Sequence, residues 1–246
     1  MSAISYVNGV YIDHQDAMVN IEDRGYQFAD GVYEVFAVIK KKIVDYDGHI
    51  NRLYRSLNEI SLKSPIVKDA YIFHIRNLIR KNNIKDGLIY LQISRGVAQR
   101  DFKFPKNTKP SIVITAKSIS MDDYYSKFTK GIKVKITDDL RWKRVDIKTL
   151  NLLPPVLAKQ KAVENGCDEA WMIDSEGYIT EGSSSNAWIL IKDKLITTPA
   201  TNSILKGITR TSLINALKKK KIKFIEKRFN KKDIKIANEA FITSAT

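Results

Sequence analysis

Residues 146–162 read DIKTLNLLPPVLAKQKA, an irregular stretch carrying Lys148 and then a run whose apolar and polar residues alternate at helical spacing. A helix is expected around 154–165, with Lys159 and Lys161 on its polar side as ordinary surface residues. Composition cannot say whether Lys148 is different. Lys and Arg total 42 of 246 residues, so a solvated lysine is the default at every position. What surrounds this stretch has to decide whether its first lysine does chemistry.

The totals bound the answer. A chain of 246 residues with 43% hydrophobic content can bury one sizeable core or two modest ones. No apolar run reaches the length of a membrane span, and the opening MSAISYVNGVYIDHQD lacks the basic-then-apolar pattern of a secretion signal. A cytoplasmic protein is expected, without a membrane partner. The single cysteine, Cys167, cannot form an internal disulfide and reads as a small core residue rather than a catalytic thiol. The formal charge of +15 raises the question of an anionic partner. However, the densest basic cluster, KKKKIKFIEKRFNKK at 218–232, alternates with apolar residues as a helix end running into a strand would. No nucleic-acid signature or metal-ligand spacing accompanies the charge, so neither nucleic acid nor a metal is expected. Positive charge also suits a small acidic substrate.

Along the chain, SYVNGVYI is a hairpin signal around Asn8-Gly9. GVYEVFAVI at 31–39 reads as a strand, KKK at 40–42 as a turn and IVDY as its return. DGHINRLYRSLNEISL places Ile50, Leu53, Tyr54, Leu57 and Ile60 on one helical face. A second helix is expected over 67–84, then strands in LIYLQISRG and SIVITAKS. The polar segment SMDDYYSKFTKG reads as a crossing to a second lobe, which begins with strand GIKVKITDD. After the helix at 154–165 come strands DEAWMID, YIT and NAWILI, a helix entered through ILKGITR, strand IKFIEK and a closing AFITSAT at an open sheet edge. These elements predict a two-lobed α+β protein, residues 1–118 forming the smaller α/β domain and 119–246 the larger.

Three loops offer chemistry. TEGSSSN at 180–186 brings an acid, a glycine and three serines between two strands, a loop able to offer hydroxyls and amides to a phosphate. LKGITR at 205–210 leads a glycine into a helix, whose first N–H groups form an anion site. SRGVAQRDFKFP at 94–105 carries Arg95 and Arg100, and an arginine there can hold a carboxylate through paired hydrogen bonds. Each is a weak signal alone. In this order, with DRGYQFADGVYEV at 23–35, HINRLYRSL at 49–57 and DIKTLNLLPPVLAKQKA, they span almost the whole chain. So arranged, the sequence resembles the fold-type IV aminotransferases that use pyridoxal 5′-phosphate (PLP), and is most similar to the D-amino-acid (D-alanine) transaminases.

That resemblance answers the question of the lysine. Lys148 matches the family's K-[ST]-LN lysine, which holds PLP as an imine and, once released, moves the substrate's proton. Glu181 matches the carboxylate at the pyridine nitrogen, where negative charge keeps the ring an electron sink. Arg52 matches the phosphate-binding arginine, Ile208 and Thr209 the helix-entry contacts, and Leu205 a leucine beside the cofactor ring. Ser184 and Ser185 are expected to help from the serine loop. Ser244 and Ala245 match positions near the phosphate and carboxylate. Ala245 stands where the family has a hydroxyl. Tyr33 and Arg100 match groups that capture the substrate's α-carboxylate, the arginine arriving from the partner subunit of a homodimer. Phe102 occupies the histidine position of the family's R-x-H-x-F-P pattern, so a larger or more apolar amino acid than D-alanine is an open alternative. Family members continue for a few tens of residues beyond TSAT, which implies a C-terminal lobe cut short here. The activity implied is exchange of amino groups between a D-amino acid such as D-alanine and a 2-oxo acid such as 2-oxoglutarate, giving D-glutamate and pyruvate by a ping-pong route. Branched-chain L-amino-acid transamination, aminodeoxychorismate lyase chemistry, or a shortened member with reduced catalysis are the alternatives on the same fold.

Overall fold

The computed structural model describes residues 3–245, without the side chains of residues 123, 124, 127 and 128. The chain divides into two compact units, residues 3–122 with 147–150, and residues 123–146 with 151–245. The short segment 147–150, which carries Lys148, groups with the first unit.

The first unit is built on a six-stranded antiparallel sheet. Its elements in chain order are β1 (Ile4–Val7), β2 (Val10–Asp13), α1 (Arg24–Phe28), β3 (Gly31–Ile39), β4 (Lys42–Ile43), α2 (Tyr46–Glu59), α3 (Lys68–Lys81), β5 (Gly87–Ser94) and β6 (Ser111–Ser118). The strand order is β2-β1-β6-β5-β3-β4. The β1–β2 hairpin turns on Asn8 (φ 48°) and Gly9 (φ 104°), the paired positive angles that an Asn-Gly turn tolerates. In β3 the two-residue period puts Val32, Glu34, Phe36 and Val38 on the buried face. Against that face α2 buries His49, Ile50, Leu53, Ser56 and Leu57, and α3 buries Tyr71, Ile75, Leu78 and Ile79. Each large apolar side chain so buried contributes about 1.5–3 kcal/mol. Tyr54 and Ile60, expected on the same stripe, lie half-buried at its margin.

Segment 121–130, read from sequence as a polar crossing, is the helix α4 (Met121–Lys130). It holds no glycine or proline to oppose that conformation. The second unit continues with β7 (Val134–Asp138), α5 (Leu153–Glu164), β8 (Glu169–Ile173), β9 (Ile179–Gly182), β10 (Asn186–Ile191), β11 (Lys194–Thr197), α6 (Ile208–Lys219), β12 (Phe224–Glu226), α7 (Lys231–Lys235) and β13 (Glu239–Thr243). One sheet has the order β7-β8-β9, with β7 and β8 parallel. The other runs β12-β11-β10-β13, with β11 and β12 parallel and β13 at the edge. On β10, Trp188 is fully buried and stacks on Phe241 of β13 with ring centroids 5.7 Å apart. Its indole N–H donates to Thr243 Oγ1 at 3.0 Å. Arg210 is also buried; it donates to Glu226 Oε1 at 2.5 Å and to the Thr198 carbonyl at 3.1 Å, tying α6 to β12. Cys167 is half-buried against Ala158, Ala162 and Met172, a packing position. No helix among the described residues is long and apolar enough to cross a membrane.

Candidate active site

Lys148 is held by its backbone. Residues 148–150 lie antiparallel to the start of β3: the Tyr33 N–H donates to the Lys148 carbonyl at 3.1 Å, and the Leu150 N–H donates to the Gly31 carbonyl at 3.1 Å. The Lys148 N–H donates to Ser56 Oγ of α2 at 3.3 Å. With the main chain so pinned, Lys148 Nζ sits 4.1 Å from the centroid of the Tyr33 ring, which also meets the Tyr90 ring at 5.7 Å. A π-face attracts an ammonium and helps to orient it.

Beside it stands a carboxylate that sequence reasoning overlooked. Glu34 is fully buried, and its two oxygens accept from Arg52 Nε at 2.7 Å and Arg52 Nη2 at 2.8 Å. His49 Nδ1 lies 2.7 Å from Glu34 Oε2. Burial pushes the Glu34 carboxyl up, but the Arg52 guanidinium, the His49 bond and the Lys148 charge outweigh it and hold the group below its ordinary value. His49, Arg52 and Ser56, spaced by three and four residues, thus form a polar line along one face of α2. The first unit therefore brings together Tyr33, Arg52 and Lys148. Arg100 lies on a different loop, 5.2 Å from the Phe28 ring and 5.8 Å from that of Phe102. Phe102 itself is 81% exposed and meets Phe28 edge-on at 5.6 Å.

In the second unit Glu181, near the end of β9, is buried. Its Oε1 accepts from Arg141 Nη1 and from the Leu205 N–H at 2.9 Å, and its Oε2 accepts from Asn186 Nδ2 at 2.7 Å. Burial pushes the Glu181 carboxyl up, against the pull of Arg141 and of the Leu205 N–H. The Arg141 guanidinium is fixed in turn by two bonds to Asp139, at 2.9 and 2.7 Å, and Thr180 Oγ1 also donates to Asp139 at 2.7 Å. Although burial opposes its charge, Asp139 and Glu181 raise the Arg141 pKa, so it remains cationic.

The helix entry has the expected form. Gly207 caps α6 with no side-chain hydrogen bond to its first turn, so the leading N–H groups at Ile208 and Thr209 carry no side-chain cap. Thr209 Oγ1 donates to the Ser244 carbonyl at 2.8 Å, bringing the chain beyond β13 to the helix start; Ala245 follows, half-buried. Leu205 acts through its backbone, N–H to Glu181 and carbonyl to Asn186. The serine loop is tied to a second buried acid. The buried Glu169 accepts from Ser183 Oγ, from Ser184 Oγ at 3.4 Å and from Ser185 Oγ at 3.1 Å. Lys159 Nζ also approaches Glu169, at 3.6 Å, and donates to the Asp168 carbonyl, with 42% of its side chain exposed.

Comparison with known proteins decides the family. The model of the family described as amino-transferase class IV matches residues 31–246. The chain belongs to the class IV amino-transferases. It is 39% identical over 242 residues to a D-alanine aminotransferase of Staphylococcus haemolyticus, spanning 98% of this chain and 85% of that one. It is 41% identical over 241 residues to a D-alanine aminotransferase of Listeria monocytogenes, spanning 98% and 83%. The solved structure of the Escherichia coli branched-chain amino acid aminotransferase superposes with a TM-score of 0.91 at 23% identity, covering 100% of this chain and 84% of that one, and shares the fold.

The cofactor of this aminotransferase is PLP. The residues present suit it by their chemistry: an amine held against an aromatic face, a buried carboxylate that suits a ring N–H, and an uncapped helix entry suited to a phosphate. Glu34, His49, Asp139, Arg141 and Asn186 are the polar neighbours of the candidate residues that sequence reasoning missed. For Glu34 a signal existed, because alternation along GVYEVFAVI puts an acid on the apolar face. Arg141, in the irregular segment DDLRWKR, offers none.

Proposed function

We propose that this aminotransferase exchanges amino groups between a D-amino acid of the D-alanine type and a 2-oxo acid of the 2-oxoglutarate type, giving D-glutamate and pyruvate with ping-pong kinetics. The observation that carries the reading is the seating of Lys148. Its backbone is locked to β3 and α2 while its amine is poised on the face of Tyr33. D-alanine aminotransferases at about 40% identity supply the substrate class.

When bound, PLP supplies an aldehyde that takes the amino group and a ring that accepts the electrons of the deprotonated α-carbon. Lys148 Nζ holds the cofactor and then moves the proton at the substrate's α-carbon. Glu181 keeps the ring nitrogen protonated; Arg141, Leu205 and Asn186 fix its carboxylate for that task. The helix entry at Ile208 and Thr209, with Arg52, Ser184, Ser185, Ser244 and Ala245, binds the phosphate end. Tyr33 lines the substrate side. Arg100 captures the α-carboxylate across a homodimer interface, with Phe102 beside it in place of a histidine.

A trial of D-alanine, L-leucine and aminodeoxychorismate, each with PLP and 2-oxoglutarate where an acceptor is needed, tests the reading. D-alanine turnover giving pyruvate is expected. D-alanine inertness with L-leucine turnover overturns it in favour of a branched-chain enzyme.

A further inference from the structure

An ionised carboxylate offers about four acceptor positions. On Glu181 three are filled among the described residues. Oε1 takes Arg141 and the Leu205 N–H, while Oε2 takes only Asn186 Nδ2. The open position is therefore on Oε2, the oxygen whose direction Asn186 sets. Both hydrogens of the Asn186 amide are committed, one to Glu181 Oε2 at 2.7 Å and one to the Leu205 carbonyl at 2.9 Å. The Leu205 N–H returns to Glu181 Oε1, so acid, amide and loop backbone close a ring.

Gly207 sits against that ring. Its backbone, φ −61° and ψ 143°, is one that any residue adopts, so conformation does not call for glycine. Space does. A Cβ at position 207 would lie 2.1 Å from Asn186 Oδ1 and 3.3 Å from its Cγ. The amide oxygen occupies the place of a Cβ, so a side chain there must push the amide aside and disturb its bond to Glu181.

We infer that Asn186, seated in the space left by Gly207, is the positioning residue that aims the open oxygen of Glu181 at its proton partner. This rests on the reading of Glu181 as the carboxylate serving the PLP ring nitrogen. It gives the glycine of LKGITR a task separate from opening the anion site of α6, and links the acid to the loop that enters that helix.

The test is a double-mutant cycle on the PLP-loaded enzyme with Asn186→Ala, Gly207→Ala and the pair, with Glu181→Gln as reference. The readouts are the pH dependence of the visible absorption, kcat and KM for the amino donor, and the melting temperature of the cofactor-free protein. Each single variant is expected to lower kcat about tenfold to a hundredfold, the range for removing a supporting partner of a site group, with KM little changed. Each should also shift the absorption profile toward that of Glu181→Gln. In the Asn186→Ala background, Gly207→Ala should change kcat by less than about twofold, because the clash is gone. Factors that simply multiply would show that Gly207 acts independently of Asn186 and overturn the inference. So would a fall in melting temperature with an unshifted absorption profile, the mark of a structural role alone. If Asn186→Ala does not fold, the near-isosteric Asn186→Asp replaces it, and an unshifted profile there also overturns the inference. A Glu181→Gln enzyme indistinguishable from wild type removes the underlying reading as well; an impaired Glu181→Gln beside an unimpaired Asn186→Ala removes this inference alone.

Discussion

Glu34 shows how one residue can serve fold and site together. It is a charge on the apolar face of β3, tolerable because Arg52 and His49 come from α2 at hydrogen-bond distance. Removing one member of a buried pair strands the other, at a typical cost of about 3–5 kcal/mol. Glu34→Ala is therefore expected to destabilise the protein by about 3 kcal/mol, read as a lowered urea midpoint at constant slope. A change below about 1 kcal/mol would show that the pair is not stabilising. His74, by contrast, serves the fold alone. Tyr11 OH lies 2.8 Å from its Nδ1 and Tyr6 OH 3.3 Å from its Nε2, and Asn77 Nδ2 donates to Tyr11 OH at 3.1 Å. With Asn77 donating to it, Tyr11 OH is free to turn its proton to Nδ1, an arrangement open to the neutral ring. Burial also lowers the His74 pKa from its ordinary 6.5. On acidification the unfolded chain takes up this proton first, so the stabilisation is complete above that ordinary value and is lost as pH falls below it toward the folded value. The stability difference between wild type and His74→Gln should accordingly move in favour of wild type as pH rises from about 5 to 7.5. A difference independent of pH would refute the neutral-ring assignment.

At the scale of elements, what the sequence made legible followed regular periods. Alternation in GVYEVFAVI and helical spacing in HINRLYRSL anticipated β3, α2 and the core between them. The exceptions have local causes. α1 and α7 have five residues each, too few for a periodic stripe, and β11 has four. α7 is instead defined by its start. Asn230 Oδ1 accepts from the Lys232 N–H at 2.8 Å and the Asp233 N–H at 3.3 Å, while Asp233 Oδ2 accepts from the Asn230 N–H at 2.8 Å, a reciprocal cap. Asn230→Ala is expected to cost about 1 kcal/mol in thermal or urea unfolding. Loss of amide-exchange protection in α7 alone would show that this helix unfolds independently of the rest of its unit. The serine loop is a different lesson. Composition drew attention to the hydroxyls alone, and the structure adds that Glu169, two residues beyond Cys167, gathers all three serines. Only a three-dimensional neighbour could reveal this, because 14 residues separate Glu169 from Ser183.

For the whole molecule, motif order along the chain carried further than any single motif. Lys148, Glu181 and LKGITR stood out as candidates because the proposed chemistry demands their residue types. Their supports, Glu34, Arg141 and Asn186, did not, since a salt bridge or amide contact can be supplied from many sequence positions. The formal charge of +15 is spread over both units, and local pairs such as Arg228 with Asp174 and Glu176, or Lys223 with Asp193, lie among them. The most direct test of the central assignment is peptide mass spectrometry of the PLP-loaded protein after borohydride reduction. The phosphopyridoxyl mass should fall on the peptide containing Lys148 and vanish in Lys148→Ala. Stoichiometric labelling at another lysine, Lys159 for instance, or none at all, would contradict it.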